Sequence, residues 1–170
     1  MINTPCVICQ TFGNYKIIYQ NNFKDSDFNK EIFSARRKPD RIHYQIVRCN
    51  QCGLIYSNPI LEEDKINQLY QKSNFTYQAQ VAGLKKTYSH YLKTILNLAP
   101  EKNNLLEIGC GNGFFLETAK QLGFRNVWGT EPSLAAVNES NINIKPFIKN
   151  SVFQNGLFAD NFFDVVCFFQ

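Results

Sequence analysis

The sequence predicts an α/β fold, in which a parallel β-sheet follows a small cysteine-rich module at the N-terminus. Two observations lead to this prediction. Within the first 60 residues, two Cys-x-x-Cys pairs flank stretches in which apolar and polar residues partly alternate. From residue 104 onward, an apolar run, a glycine-rich loop, a helical pattern and a second apolar run follow in the order of a β-α-β unit.

The composition indicates a folded protein. The chain has 170 residues, of which 44% are hydrophobic and 19% charged, so it has enough apolar material for a packed core and differs from disordered chains. It lacks any run of about 18 apolar residues, the length that spans a bilayer. The N-terminus also lacks the basic start and apolar stretch of a signal peptide. We therefore expect a cytoplasmic protein with no membrane partner.

The net charge of +4 is unevenly distributed along the chain. Residues 1–60 contain 8 Lys/Arg against 4 Asp/Glu, whereas residues 101–170 contain 5 against 7. A basic segment at Arg36, Arg37 and Lys38 could contact nucleic acid, although so small an excess is more commonly a solvated surface. A nucleic-acid partner is therefore an alternative and not the expected one.

Four of the six cysteines have the spacing of zinc ligands: Cys6 with Cys9, and Cys49 with Cys52. Each turn places two thiolates on one side of a tight loop, and two such turns supply the four soft ligands that structural zinc prefers. Gly53 follows the second pair, where such a turn often requires positive φ. Buried thiols or a redox pair are the alternatives, but a second pair would be redundant for redox chemistry.

The long spacing between the two pairs predicts a folded insert. The pairs are separated by 39 residues, against about 15–20 in the usual zinc template. Partial alternation of apolar and polar residues predicts strands near 15–19 and 44–48. Cys110 and Cys167 lie in apolar segments without a Cys-x-x-Cys partner, and we interpret them as small buried residues.

The spacing of apolar residues over 61–98 predicts two helices that precede the sheet in the sequence. Ile66 and Leu69 fit one short helix, and Tyr88 and Leu92 fit a second, longer one. The glycine-rich loop then follows the apolar run over 105–108.

The loop itself carries three glycines, Gly109, Gly111 and Gly113. They allow the backbone to pass close to a ligand, and the predicted helix that follows would direct free N–H groups toward the same place. The spacing is G-x-G-x-G, and it differs from the G-x-G-x-x-G of dinucleotide-binding proteins.

Residues 106–113 resemble the first motif of class I methyltransferases that use S-adenosylmethionine. Two further landmarks extend the resemblance over 104–170. Glu131 ends a second apolar run 22 positions after Gly109 (131 minus 109), where an acid at the strand tip can accept both ribose hydroxyls. Asp164 begins an apolar run that resembles the fourth strand of the family. The resemblance implies the first half of a Rossmann-like methyltransferase sheet.

The resemblance also implies roles for individual residues. The three glycines would lie along the methionine and ribose moieties, Glu107 would orient the loop, and Phe169 would line the pocket. The family often has an acid near the adenine amine, and this chain has Asn150 or Ser151 there instead. No catalytic residue can be named. The expected cofactor-binding residues are Glu107, Gly109, Cys110, Gly111, Gly113, Glu131, Asn150, Ser151 and Phe169.

In the family, the region before the sheet caps the cofactor pocket and often contacts substrate. Its candidates here are Tyr70, Tyr77, Tyr88 and His90, although tyrosines on helices are usually packing residues.

The paired cysteines resemble the zinc-binding module of some bacterial methyltransferases, including sugar methyltransferases. We therefore expect a zinc-binding module over 1–60, a helical linker or cap over 61–100, and the N-terminal half of a methyltransferase domain over 101–170. The expected acceptor is a small molecule, a sugar or a glycan, and the acceptor atom stays open. The alternatives are a zinc-containing RNA methyltransferase, or an RNA- or protein-binding module whose half-domain is inert.

The expected strands number four, whereas the resembling family has seven. They are placed at about 105–109, 127–131, 144–148 and 164–169. In the usual order 3-2-1-4, the fourth strand would be an open edge that recruits another chain. We therefore expect a fragment of a longer protein, with self-association through that edge. Whether the fragment alone is active stays open.

Overall fold

The computed structural model describes residues 1–24, 27, 42–98 and 101–169. These residues form two compact units, of which the first ends at Leu69 and the second begins at Tyr70. The basic segment at Arg36, Arg37 and Lys38 lies outside the described residues.

The first unit contains a three-stranded antiparallel sheet. Its strands are β1 Tyr15–Tyr19, β2 Ile46–Cys49 and β3 Ile55–Ser57, and they lie in the order β1-β2-β3. Both strands predicted between the cysteine pairs are therefore present. Tyr15 pairs with Cys49, so the start of β1 lies beside the second cysteine turn.

The N-terminal segment pairs with the residues that follow β3. Ile2 and Ile60 exchange two backbone hydrogen bonds of 2.7 and 2.9 Å. Asn58, which is fully buried, accepts a hydrogen bond from the Thr4 backbone N–H at 2.8 Å. A buried amide without a hydrogen-bond partner would lower the free energy of unfolding by about 1–3 kcal/mol. The bond from Thr4 to Asn58 and the Ile2–Ile60 pair therefore fix the segment that leads into Cys6.

Two helices occupy the stretch between the sheets, as the sequence predicts. They are α1 Glu63–Gln71 and α2 Val81–Leu96, and a single 3-10 turn, Gln78–Gln80, precedes α2. Glu63 and Asp64 lie in the first turn of α1, where they complement the positive end of the helix dipole. None of the helices in the described part of the chain combines the length and the apolar character needed to cross a membrane.

The second unit is built on a four-stranded parallel sheet. The elements are β4 Asn104–Ile108, α3 Phe114–Gln121, β5 Asn126–Thr130, α4 Leu134–Asn138, β6 Ile148–Lys149 and β7 Val165–Phe168. Helix α3 connects β4 to β5, and the short helix α4 follows β5. The order of the strands is β6-β5-β4-β7, which is the 3-2-1-4 order expected from the sequence. The fold class is therefore confirmed as α/β with a Rossmann-like half-domain.

The core of this unit lies between the sheet and helices α2 and α3. Phe115 and Leu116 of α3, Leu92 of α2, and Leu105 and Val127 of the sheet are each 0 or 1% exposed. Phe115 and Ala119 lie about one turn apart on the same face of α3, and both belong to the apolar cluster that includes the strand residues.

The third strand is shorter than predicted and begins later. The sequence analysis placed it over 144–148, but Lys145–Phe147 form a 3-10 turn and β6 contains only Ile148 and Lys149. Pro146 explains the difference, because proline has no N–H to donate to the ladder and its fixed φ favours a turn. Ile144 is buried in the core of the unit.

Strand β7 has two different faces. Val165 and Cys167 are buried, whereas Val166 is 51% exposed and Phe168 is 79% exposed. Within the described part of the chain, no strand pairs with the outer edge of β7. Self-association through this edge stays a prediction.

Candidate metal centre and cofactor site

The two cysteine turns have the same backbone geometry. In each, the N–H of the first cysteine donates to the carbonyl five residues later, and its carbonyl accepts from the N–H four residues later. The distances are 3.0 and 2.8 Å in the turn at Cys6, and 2.8 and 3.1 Å in the turn at Cys49. The residue after each pair, Gln10 or Gly53, has a φ of +59° or +79°. This left-handed residue closes both turns, as expected for Gly53.

The turns bring the four thiols together. All four Sγ atoms lie within 4.8 Å of one another. Across the two turns, Cys6 lies 3.4 Å from Cys52, and Cys9 lies 3.5 Å from Cys49. A tetrahedral zinc with Zn–S bonds of about 2.3 Å separates its sulfur ligands by about 3.8 Å. The spacing of the thiols therefore fits a four-cysteine metal centre.

The electrostatics of the cluster also favour a cation. Hydrogen bonds from the side chain and backbone of Thr11 lower the pKa of Cys9 to about 6. At Cys52, the backbone amide of Leu54 lowers the pKa, but burial and the neighbouring thiols outweigh it and raise the pKa to about 12. Thiols this close cannot all ionise by themselves because their negative charges repel. A divalent ion removes that repulsion, so the donor set fits zinc.

The glycine-rich loop connects β4 to α3. Gly111 and Gly113 have φ values of +56° and +73°, a region that favours glycine. Both are also closely packed: a Cβ at Gly111 would overlap the hydroxyl of Tyr77, and a Cβ at Gly113 would lie 2.8 Å from Ile144. Gly113 is the N-cap of α3, and no side chain caps this helix. The loop therefore leaves the first N–H groups of α3 for a ligand.

Glu131 is held against this loop at the end of β5. One carboxylate oxygen accepts a hydrogen bond from the Gly111 N–H at 2.9 Å, and the other accepts from the Ser133 N–H at 2.8 Å. Burial raises the pKa of Glu131, while these two amides act in the opposite direction. A carboxylate has about four acceptor positions, so two remain for hydroxyl groups such as those of a ribose.

Glu107 lies in the middle of the sheet. It pairs with Gly129 of β5 on one side and with Cys167 of β7 on the other, and it is 3% exposed. Its Oε2 atom makes no hydrogen bond in the described structure. Burial, and then the charge of Glu131, raise the pKa of Glu107 well above its ordinary value. Burial raises the pKa of the Cys167 thiol to about 11, and the charge of Glu107 contributes to this increase.

Replacing Glu107 by glutamine is expected to stabilise the protein at neutral and alkaline pH. A carboxyl with a raised pKa in the folded state contributes its full stability below its unfolded pKa, near 4.5, and loses it as pH rises through the folded value. Glu107→Gln removes this loss, so its melting temperature should exceed that of the wild type increasingly between pH 5 and 8. Thermal melts over this range measure the effect, with the exposed Glu139→Gln as control. A difference in melting temperature between Glu107→Gln and the wild type that is the same at every pH would contradict this prediction.

The two residues expected near an adenine amine, Asn150 and Ser151, differ in the hydrogen bonds that their side chains make. The side-chain N–H groups of Asn150 donate to the carbonyls of Glu131 and Pro132, at 2.8 and 3.1 Å. The hydroxyl of Ser151 is buried and has no hydrogen-bond partner in the described structure. Asn150 thus supports the backbone around Glu131, and Ser151 retains the capacity to bind a ligand.

Phe169 follows β7 and packs between two helices. Its ring stacks on Tyr88 of α2 with centroids 4.2 Å apart, and meets Phe115 of α3 edge-on at 4.9 Å. The described contacts thus fix the ring at the carboxyl end of the sheet.

Sequence reasoning missed two residues near the loop. Asn112 is 8% exposed, and its Oδ1 has no hydrogen-bond partner in the described structure. Ser133, which is 3% exposed, caps α4 and also binds Glu131. Asn112 could have been noticed because it lies between two loop glycines, whereas nothing in the sequence indicates the contacts of Ser133.

Apart from Glu107, which lies within β4, the expected cofactor residues share one edge of the sheet. The glycine loop follows β4, Glu131 follows β5, Asn150 and Ser151 follow β6, and Phe169 follows β7. The carboxyl ends of parallel strands lie at the same edge, and ligands of open α/β sheets bind there. Cys110, in the loop, is buried, and burial raises the pKa of its thiol.

A family model described as a methyltransferase domain matches residues 77–170. The match covers more than half of the chain. The chain belongs to this methyltransferase family. A comparison with curated proteins finds no match. The methyltransferase match includes the whole parallel sheet and the segment from Tyr77 that leads into α2, and the four-cysteine centre lies outside it.

Proposed function

We propose that the chain is an S-adenosylmethionine-dependent methyltransferase that acts on a small molecule, a sugar or a glycan. It is divided into a zinc-binding module over 1–60, a helical linker or cap over 61–100, and the first half of the catalytic domain over 101–170. The observation that carries the proposal is the contact between Glu131 and Gly111, which joins an acid at the tip of β5 to a glycine loop.

The residues at this edge match the chemistry of the cofactor. When bound, S-adenosylmethionine would supply a methyl group on a positively charged sulfur, and this sulfur would leave as a neutral thioether as the acceptor atom bonds to the methyl carbon. The glycine loop and the start of α3 would hold its methionine part, and Glu131 would accept the ribose hydroxyls. Ser151 has the unpaired hydroxyl that the adenine amine could use, and Phe169 supplies an aromatic wall. Glu107 supports the loop from the strand that precedes it.

The four-cysteine centre is proposed to hold a structural zinc. Its support is the packing of four thiols within 4.8 Å and the matching geometry of the two turns. A site with four protein ligands leaves no open position for a substrate, so it stabilises the module and takes no part in catalysis. Free thiols also agree with a reducing compartment, and we propose the cytoplasm.

The distribution of charge supports a small or sugar acceptor over RNA. Residues 101–170 contain 5 Lys/Arg against 7 Asp/Glu, so this segment has no excess of positive charge with which to attract a phosphate backbone. An RNA methyltransferase is the second candidate because residues 1–60 have a basic excess.

Methyl transfer from labelled S-adenosylmethionine tests the acceptor class. The protein is incubated with nucleoside-diphosphate sugars in one series and with total RNA in another. We expect label in the sugar series, no label in RNA, and no RNA binding with a steep salt dependence. Label in RNA without label in sugars, together with salt-sensitive RNA binding, would establish the second candidate in place of the first.

A further inference from the structure

Thr11 contacts the sulfur of Cys9 and also a side chain of the other cysteine turn. Its hydroxyl oxygen lies 3.2 Å from Cys9 Sγ and 2.5 Å from Oε1 of Gln51. Gln51 lies between Cys49 and Cys52 in the second turn, whereas Thr11 closes the first. The hydroxyl of Thr11 therefore connects one sulfur of the four-cysteine centre to the opposite turn.

The backbone geometry of the turns does not require this hydroxyl. In the first turn, the carbonyl of Thr11 accepts a hydrogen bond from the first cysteine, and in the second turn the carbonyl of Leu54 does the same. The side chain of Leu54 has neither a donor nor an acceptor. Because the second turn closes in the same way without a hydroxyl, the hydroxyl of Thr11 is an additional group placed beside Cys9.

The direction of the hydrogen bonds at Thr11 depends on whether the sulfur carries a proton. The thiol of Cys9 can donate to Thr11 Oγ1, and Thr11 can then donate to Gln51. A thiolate that binds a metal has no proton and can only accept, so it would receive the single proton of the Thr11 hydroxyl. The amide of Gln51 contains donors as well as an acceptor, and a flip of this amide would present an N–H to Thr11 Oγ1.

We propose that Thr11 is a positioning residue of the metal centre, whose hydroxyl donates to Cys9 Sγ when a metal is bound and is oriented by Gln51. This inference rests on the proposed zinc site. Hydrogen bonds to an ionised acceptor are about twice as strong as those between neutral groups. Groups that bond to metal ligands also fix the orientation of those ligands. Thr11 therefore stabilises the negative charge on Cys9 and holds its sulfur toward the other three.

Loading the full chain with cobalt(II) tests this role, because cobalt(II) in a thiolate site gives charge-transfer absorption bands that zinc lacks. Thr11→Val keeps the branched shape of the side chain and removes the hydroxyl. A thiolate without this hydrogen bond gives up an electron more readily, so we expect the charge-transfer band of Thr11→Val at longer wavelength than in the wild type. Loss of the metal to a chelator should become about 3- to 10-fold faster, the range for one hydrogen bond. Thr11→Ser restores the hydroxyl and should return both quantities toward the wild-type values.

Gln51→Met is the matched control, because it removes the bond between the two turns and keeps the hydroxyl beside Cys9. Its charge-transfer band should stay at the wild-type wavelength, while its loss of metal becomes faster by less than in Thr11→Val. A wild-type band in Thr11→Val, or the same shift in Gln51→Met, would overturn the role of Thr11 at the sulfur and leave the zinc site standing. A wild-type chain that binds neither zinc nor cobalt(II) would overturn the proposed metal centre, and the role of Thr11 with it.

Discussion

Removal of metal from the four-cysteine centre is expected to unfold the first unit. Cys6 and Cys49 are buried at 0% and 2% exposure, and their three-stranded sheet is small. Structural zinc contributes roughly 10–16 kcal/mol in small modules of this kind, which exceeds what so short a sheet provides. A strong chelator should therefore abolish the cooperative melting transition of the first unit.

Elemental analysis provides the matching measurement. Protein purified without a chelator should carry about one zinc per chain, and Cys49→Ser should lose it. Cys110→Ser and Cys167→Ser are the matched controls because both thiols lie outside the cluster, and they should retain the metal. Protein that contains no zinc, or that keeps its melting transition in the chelator, would contradict the metal centre.

Substitution of the second loop glycine is expected to abolish cofactor binding. Gly111→Val places a branched side chain at a φ of +56°, where its Cβ overlaps Tyr77. The strain of this backbone conformation, about 1–2 kcal/mol, adds to the cost of displacing Tyr77 from the loop. Gly83→Val in α2 is the control, because a Cβ there meets nothing within 4 Å and the φ is ordinary.

Glu131→Ala is expected to weaken binding by about 1–3 kcal/mol, the range for hydrogen bonds to a charged acceptor. The substitution also releases the N–H groups of Gly111 and Ser133. Titration of Glu131→Ala beside the exposed Glu139→Ala separates the site from a general effect of charge. Unchanged affinity in Glu131→Ala would remove the ribose role of this carboxylate.

Features encoded by neighbouring residues could be predicted from the sequence. The apolar run that becomes β4, the glycines after it and the helical spacing of α3 all lie within one β-α-β unit, so periodicity was sufficient. The later start of β6 follows from Pro146, whose missing N–H prevents the strand pairing that the apolar pattern suggested.

Features made by distant residues could not be predicted in the same way. The bond between Ser133 and the carbonyl of Ser73 joins positions 60 apart and uses a backbone acceptor, which has no sequence signal. The different engagement of Asn150 and Ser151 likewise depends on where the backbone of Glu131 and Pro132 lies. The positive φ of Gln10 was also not predicted. Glycine commonly adopts this conformation and so indicates it in a sequence, whereas glutamine does not.

The identity of the ligand at the edge of the sheet is the central claim, and a comparative titration tests it most directly. The wild-type chain is titrated in a calorimeter with S-adenosylmethionine, S-adenosylhomocysteine and NAD under identical conditions. The account predicts that both adenosyl-sulfur ligands bind more tightly than NAD, because the loop has the G-x-G-x-G pattern and Glu131 lies beside Gly111. Tighter binding of NAD would contradict the assignment as an S-adenosylmethionine-dependent enzyme.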